Sequence, residues 1–233
     1  MSGGCDGPGR GRHNEAVPPV ALFDLDNTLV DRAATYRRWA AAFASARNLG
    51  KGCVDWMCEA DDDGFRPRQE LFAAVVEQFG LTDAVEDLVS GYWTEYLASY
   101  RPDPEVSEAL GRLRSAGWKT GIVTNGPAAQ HEKVARAELT DLVDACCVSG
   151  EFGVEKPDPR IFMEALKRCG HSGDEDPRPW MVGDAPVPDI GGGKELGLGT
   201  IWVHRGRSWE LQDYRPEIEV SSVPEAVEIM LTW

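Results

Sequence analysis

Residues 20–31 read VALFDLDNTLVD, and this stretch decides the fold. Four apolar residues run directly into Asp24, a pattern typical of a strand that is buried on both faces of a parallel sheet. Asp24 then lies at the carboxyl end of the strand, the edge at which open α/β sheets bind ligands. Asp26 points the same way if the strand geometry continues. One carboxylate can attack while the other handles protons, although such a pair also occurs in helix caps and solvated turns.

The 233-residue chain carries a formal net charge of -15 at pH 7. This length allows one large domain, or one domain with a smaller insertion. The electric field of a protein with this net negative charge repels polyanions, so we expect neither a nucleic-acid partner nor an acidic membrane partner. An acidic enzyme acting on a phosphorylated substrate would therefore need cations placed at its own site.

Six cysteines are present, at positions 5, 53, 58, 146, 147 and 169. Their spacing in the sequence is not that of a disulfide framework, so we expect reduced, buried thiols rather than disulfides. No apolar run approaches the roughly 18 residues of a transmembrane span, and the first segment lacks the apolar core of a signal peptide. We expect a cytoplasmic protein that is a monomer or a homodimer, without a membrane partner.

The chain divides into three parts by composition and periodicity. Residues 1–19 are rich in glycine and poor in apolar side chains, which predicts a flexible tail. Apolar residues then recur at helical spacing over residues 36–43, 71–79 and 85–97, with no strand between them. The glycines and aspartates of residues 50–67 predict a loop between the first two helices. We therefore expect a helical insertion at residues 32–100.

Helices and strands alternate from Pro102 onward. Apolar runs predict buried strands at 118–124, 145–148, 180–182 and 200–203, with an additional edge strand at 217–220. This alternation is typical of a parallel sheet covered on both faces. The predicted fold class is α/β, a Rossmann-like sheet with helices on both faces formed by residues 20–31 and 101–233, plus an inserted α-helical cap at residues 32–100. The insertion follows the strand that carries Asp24, where a lid would lie.

Polar residues follow the other predicted strands as well. Thr124 and Asn125 end the second strand, Lys156 precedes a helix, and Asp184 and Asp189 follow the strand at 180–182. Taken singly, Thr-Asn-Gly is an ordinary turn, and a lysine before a helix is usually a surface residue because it gains nothing from the helix dipole. Residues at the carboxyl ends of parallel strands nevertheless meet at one edge of the sheet.

Four carboxylates brought to one edge repel one another unless a cation lies between them. Mg²⁺ suits oxygen ligands of this kind, because it takes one or two carboxylates together with waters and substrate phosphate. Lys156 would supply a second positive charge. The acidic composition is therefore compatible with a phosphate ester as substrate.

The ordered set of these motifs resembles the haloacid dehalogenase (HAD) superfamily, and within it the phosphatase branch. The resemblance covers residues 20–203 and implies a nucleophile at Asp24, which would form an aspartyl-phosphate, and a general acid and base at Asp26. It implies that phosphoryl oxygens are bound by Thr124, the Asn125 amide and Lys156. It implies a Mg²⁺ site with the ligands Asp24, Asp26, Asp184 and Asp189.

One feature of the motifs supports the phosphatase branch, and another departs from the family pattern. Asp26 favours phosphate over halide, because the dehalogenases of the superfamily lack this second aspartate. The segment Asp184 to Asp189 departs from the family pattern, since it contains Pro186 and Pro188 and lacks a hydroxyl after the first aspartate. Rigid backbone there can displace Asp189, so its direct contact with metal is an open point.

The resemblance implies a Mg²⁺-dependent phosphatase of a small phosphorylated metabolite, such as a sugar phosphate or a nucleotide. A phosphotransferase or phosphomutase on the same scaffold, or a binding protein without turnover, remains an alternative. The cap would set specificity. Candidates to contact a second anionic group of the substrate are Arg32, Arg37, Arg38, Arg66 and Arg68. Candidates to line an aromatic pocket, or simply to pack among the cap helices, are Tyr36, Trp39, Tyr92, Trp93 and Tyr96.

Overall fold

A single six-stranded parallel sheet lies at the centre of the computed structural model, which describes residues 17–171 and 177–232. The strands in chain order are β1 (Val20–Phe23), β2 (Lys119–Thr124), β3 (Ala145–Val148), β4 (Trp180–Gly183), β5 (Gly199–Val203) and β6 (Ile218–Val220). Their spatial order is β3-β2-β1-β4-β5-β6. Residues 1–16 of the predicted tail lie outside the described residues.

The inserted segment is helical, as predicted, but it contains four helices rather than three. They are α1 (Arg32–Ala46), α2 (Cys53–Ala60), α3 (Arg68–Phe79) and α4 (Val85–Ala98). The prediction of a loop over residues 50–67 is wrong for α2, whose buried Cys53 and Met57 lie four residues apart on one face. Glycine and aspartate at both ends of this eight-residue helix dominated the composition and concealed it.

The core helices cover the sheet on both sides. They are α5 (Pro104–Ser115), α6 (Gln130–Arg136), α7 (Ser149–Phe152), α8 (Pro159–Arg168), α9 (Gly192–Glu195) and α10 (Val223–Leu231). Ala21 and Phe23 of β1 pack into one apolar cluster, whereas Val20 and Leu22 pack into another. Alternate residues of a strand point to opposite faces, so the fully apolar run of β1 reflects burial on both sides. The predicted α/β fold class is confirmed.

The central place of β1 positions the candidate site. Phe23 pairs with Ile122 on one side and with Val182 on the other, so the residues after β1, β2 and β4 emerge side by side. The backbone N–H of Asp24 donates to the carbonyl of Val182 at 2.9 Å and extends this pairing by one residue. Asp24 therefore stands between the ends of two neighbouring strands.

Candidate active site

Asp24 and Lys156 form a buried ion pair at the carboxyl edge of the sheet. The Nζ atom of Lys156 lies 2.6 Å from Oδ1 of Asp24 and 2.7 Å from Oδ1 of Asp189. Lys156 comes from the loop before α8, a helix capped by Asp158 and started by Pro159. Burial would lower the pKa of Lys156, but the two carboxylates outweigh burial and raise it. Lys156 therefore remains a cation at physiological pH.

Asp189 reaches the sheet edge through an irregular turn. Pro186 begins a stretch of π-helix over Pro186–Gly191, where its missing N–H costs little. The fully buried carboxylate of Asp189 accepts a hydrogen bond from the N–H of Ala185 at 2.9 Å. A Cβ atom on Gly183 would lie 2.3 Å from Oδ2 of Asp189, so only glycine permits this approach. Asp189 thus has a fixed position beside Asp24 in a turn that contains both prolines, and its direct contact with a metal stays a prediction.

Three carboxylates converge beside this ion pair. One oxygen each of Asp24, Asp184 and Asp189 lie within 4.8 Å of one another. Burial raises the pKa of Asp24, with a contribution from Asp189 and against the opposing effect of Lys156. Burial and Asp189 likewise raise the pKa of Asp184 to about 6. A cluster of three buried carboxylates this close together, offering only oxygen ligands, fits a hard divalent cation such as Mg²⁺.

Asp26 does not belong to this cluster. Its Oδ2 accepts hydrogen bonds from Lys133 at 2.6 Å and from Gln130 at 2.9 Å, and its Oδ1 accepts one from Tyr100 at 3.3 Å. Burial would raise the pKa of Asp26, but Lys133 and Gln130 hold it below its usual value. The side-chain geometry gives no support to Asp26 as a metal ligand, because its oxygens are directed to these donors instead.

Thr124 ends β2 and Asn125 follows it, and the two side chains make different contacts. The buried hydroxyl of Thr124 accepts a hydrogen bond from Gln130 at 2.6 Å. The side-chain amide of Asn125 donates to the carbonyl of Lys156 at 3.0 Å and accepts from its N–H at 2.8 Å. The side chain of Asn125 therefore holds the main chain of Lys156. The backbone N–H of Asn125 is then the amide group that remains available for phosphate.

Two arginines that the sequence did not suggest contact Asp184. Arg207 donates to both Oδ2 and the carbonyl oxygen of Asp184, at 2.8 and 2.6 Å. Arg205 lies 3.9 Å from the same carboxylate. Trp202, on β5, donates its indole N–H to that carbonyl at 2.8 Å. Asp184 is thereby fixed through its main chain and through one of its two carboxylate oxygens.

A cavity of about 740 Å³ opens between the sheet edge and the cap. Asp24, Asp26 and Asp184 lie in its wall, together with Thr124 and Lys156. The cap contributes the loop between α2 and α3, including the exposed ring of Phe65. The predicted site residues thus share one cavity of a size suited to a small molecule.

The cap arginines divide into two groups. Arg32, Arg66 and Arg68 line the cavity, whereas Arg37 pairs with exposed Asp55 and lies elsewhere. The set lining the cavity likewise does not include Arg38, which donates to the carbonyl of residue 99. Both Arg32 and Arg68 pair with buried Asp61. Among the cavity-lining cations of the described residues, Arg66 alone has no carboxylate within 4.0 Å.

The aromatic candidates also fall into two groups, those of α1 and those of α4. Trp39 packs edge-on against Tyr92 with ring centroids 4.8 Å apart, inside the cap core, and Tyr36 packs against Trp39 at 5.3 Å. Tyr92, Trp93 and Tyr96 line the cavity. Packing among cap helices therefore explains the two aromatic residues of α1, and those of α4 serve both the cap core and the cavity wall.

Comparison with known proteins agrees with this geometry. The haloacid dehalogenase-like hydrolase model matches residues 19–197. This chain belongs to that family. A glyceraldehyde 3-phosphate phosphatase of Pyrococcus furiosus is 34% identical over 230 residues, which cover 91% of this chain and 92% of the relative. A phosphoserine phosphatase of Thermus thermophilus is 32% identical over 68% of this chain and 63% of its own length.

Solved structures of the family share the fold. The magnesium-bound HAD hydrolase YfnB of Bacillus subtilis superposes with a TM-score of 0.72 at 20% identity, over 91% of this chain and 98% of YfnB. The predicted superfamily and its phosphatase branch are confirmed by these relatives. Within residues 17–171 and 177–232, no helix has the length and apolar character needed to cross a bilayer.

Proposed function

We propose that this chain hydrolyses the phosphate monoester of a small metabolite, with Mg²⁺ as cofactor and with an aspartyl-phosphate on Asp24 as intermediate. One observation carries the proposal. Asp24, oriented by Lys156, lies in the wall of the cavity between the sheet edge and the cap, within 4.8 Å of two further carboxylates. A carboxylate nucleophile divides the hydrolysis into two easier displacements.

The charge of the site supports Mg²⁺. Asp24, Asp184 and Asp189 would hold the ion, since their oxygens converge. When bound, Mg²⁺ would supply positive charge that polarises the phosphoryl group and keeps Asp24 ionised. Lys156 would oppose the charge that the phosphate brings to Asp24. Metal and lysine together allow a strongly acidic protein to accept an anionic ester.

The remaining groups position the phosphate and move the proton. The hydroxyl of Thr124 and the backbone N–H of Asn125 lie at the end of β2, next to β1, and would hold equatorial oxygens. Asp26 would protonate the leaving oxygen in the first displacement and accept a proton from water in the second.

The cavity supports a small substrate rather than a macromolecule. A volume of about 740 Å³ accepts a metabolite-sized ligand. The net charge of -15 disfavours nucleic acid. Location in the cytoplasm and a monomeric or homodimeric state remain predictions from the sequence. The glyceraldehyde 3-phosphate and phosphoserine phosphatases among the relatives make three-carbon phosphates the first substrates to try.

The test is hydrolysis of p-nitrophenyl phosphate by the wild type and by Asp24→Asn, with and without Mg²⁺, followed by a panel of sugar phosphates, three-carbon phosphates and nucleotides. We expect turnover that requires the metal and is lost in the variant, with both proteins equally folded by circular dichroism. Equal rates in the two proteins, or no turnover on any substrate, would contradict the proposal. Transfer of phosphate to a sugar hydroxyl instead of water would favour the phosphotransferase alternative.

A further inference from the structure

Asp26 is held from two directions by side chains that the catalytic motifs do not include. Lys133 and Gln130 come from α6 and are 4% and 1% exposed. Tyr100 comes from the segment that returns from the cap, and its hydroxyl lies 2.8 Å from that of Tyr96. The carboxylate of Asp26 therefore has donors on both of its oxygens before any substrate binds.

Gln130 connects Asp26 to the phosphate-binding end of β2. One nitrogen, Nε2, lies 2.9 Å from Oδ2 of Asp26 and 2.6 Å from Oγ1 of Thr124. The loop after β2 also closes on this side chain, because a Cβ atom on Gly126 would lie 3.0 Å from it. A single buried amide thus bridges the carboxylate of Asp26 and the hydroxyl of Thr124.

Lys133 contributes a positive charge next to the carboxylate of Asp26. Its Nζ atom lies 2.6 Å from Asp26 and 5.9 Å from the centre of the Tyr96 ring. A structural ion pair that anchors α6 is the simpler explanation of a buried lysine. Against it, Lys133, Gln130 and Asp26 all line the cavity that contains Asp24, and the acidic partner is the residue that moves the proton in the proposed function.

We propose that Lys133 and Gln130 are positioning residues for Asp26, which fix its carboxylate beside Thr124 so that it can exchange a proton with the leaving oxygen and with water. This inference rests on the proposed function. In the first step the bond from Asp24 to phosphorus forms, the ester P–O bond breaks, and the leaving oxygen takes a proton from Asp26. In the second step water bonds to phosphorus, the bond to Asp24 breaks, and Asp26 regains a proton from water.

A positioning role predicts a dependence on the leaving group. A nitrophenolate departs readily without a proton, whereas an alkoxide needs one as the P–O bond breaks. Loss of a well-placed acid should therefore reduce kcat/KM for an alkyl phosphate by about 10²-fold or more and should reduce it only slightly for p-nitrophenyl phosphate. Because kcat/KM includes only the steps up to the phosphoenzyme, the shared second displacement does not obscure the comparison.

The variants are Lys133→Met and Gln130→Met, with Lys133→Arg as the conservative replacement and exposed Lys167→Met as the matched control. The substrates are p-nitrophenyl phosphate and glycerol phosphate. We expect a selective loss on glycerol phosphate in both Met variants, partial recovery in Lys133→Arg, and no change in the control. Gln130→Met keeps the test decisive if Lys133→Met does not fold, as judged by thermal melting.

An equal loss on both substrates would show that Lys133 and Gln130 act only on the integrity of the site, and would overturn the inference. Unchanged rates on both substrates would overturn it as well. A wild type without activity on either ester would instead contradict the proposed function, and the positioning role would fall with it. Retained p-nitrophenyl phosphatase activity without a shift in selectivity overturns the positioning role alone.

Discussion

Asn125 holds the main chain of Lys156 through two hydrogen bonds, one donated to its carbonyl and one accepted from its N–H. The pair connects the end of β2 to the loop before α8. Lys156 in turn reaches Asp24 and Asp189. The side chain of Asn125 therefore acts at a distance on the two carboxylates, through the placement of a lysine rather than through the phosphate.

This relationship predicts the behaviour of Asn125→Ala. Because a catalytic group displaced by about 1 Å can cost 10²-fold in rate, we expect kcat on p-nitrophenyl phosphate to fall by about that factor. Lys156→Met should lose at least as much. If Asn125 acts through Lys156, the double variant should be no slower than Lys156→Met alone. Multiplicative losses in the steady-state rates would contradict this mechanism.

The metal site predicts a difference between two aspartates. Asp184→Asn removes a charge from the carboxylate cluster, whereas Asp26→Asn leaves the cluster intact. In the wild type, Mg²⁺ at 100 times its Kd should stabilise the fold by about 2.7 kcal/mol, which corresponds to a rise in Tm of about 5–10 °C for a chain of this size. We expect Asp26→Asn to keep that rise and Asp184→Asn to lose most of it.

Thermal melts with and without Mg²⁺ measure this difference independently of activity. A monovalent salt at matched ionic strength and a chelator serve as controls for general ionic effects. Loss of the rise in Asp26→Asn would restore Asp26 to the set of metal ligands, as the sequence first suggested. An unchanged rise in Asp184→Asn would place the ion elsewhere.

Arg66 predicts a preference among substrates. It is the cavity-lining cation left without a carboxylate partner among the described residues. A charge-assisted contact to a second anionic group contributes about 1.5–3 kcal/mol, so Arg66→Ala should raise KM by about 10- to 100-fold for substrates with such a group. Arg37→Ala, on the exposed surface, is the matched control.

The comparison needs substrate pairs that differ in that second group, such as phosphoglycerate and glycerol phosphate. We expect Arg66→Ala to affect the first and to leave the second nearly unchanged. The same KM change on both esters, or the same change in Arg37→Ala, would exclude specific recognition by Arg66.

The sequence predicted the sheet well because buried parallel strands leave a clear signal. The apolar run before Asp24 and the polar residues after β2 and β4 placed Asp24, Thr124 and Asp184 at one edge. Contacts that join distant segments left no such signal. Arg207 reaches Asp184 from an irregular segment after β5, and nothing in its neighbours marks it. The helix α2 was missed because glycine and aspartate flank a short apolar face.

The surroundings of Asp26 could have been found in part. Gln130 and Lys133 are three residues apart, and residues so spaced share one face of a helix. They also follow closely on Thr124, so that this face meets the sheet edge. The periodicity of the sequence cannot identify Asp26 as the partner of Lys133, because the whole insertion separates the two residues along the chain.

The most direct test of the central claim is to detect the phosphoryl group on Asp24. The wild type and Asp26→Asn would be mixed with p-nitrophenyl phosphate and Mg²⁺, quenched in acid within the first turnover, and digested for mass spectrometry. We predict one hydroxylamine-labile phosphoryl group on the peptide that carries residues 20–31, located at Asp24, with more of it in Asp26→Asn because water is activated more slowly. Full turnover with no phosphoryl group on Asp24, or with one on another residue, would contradict the account.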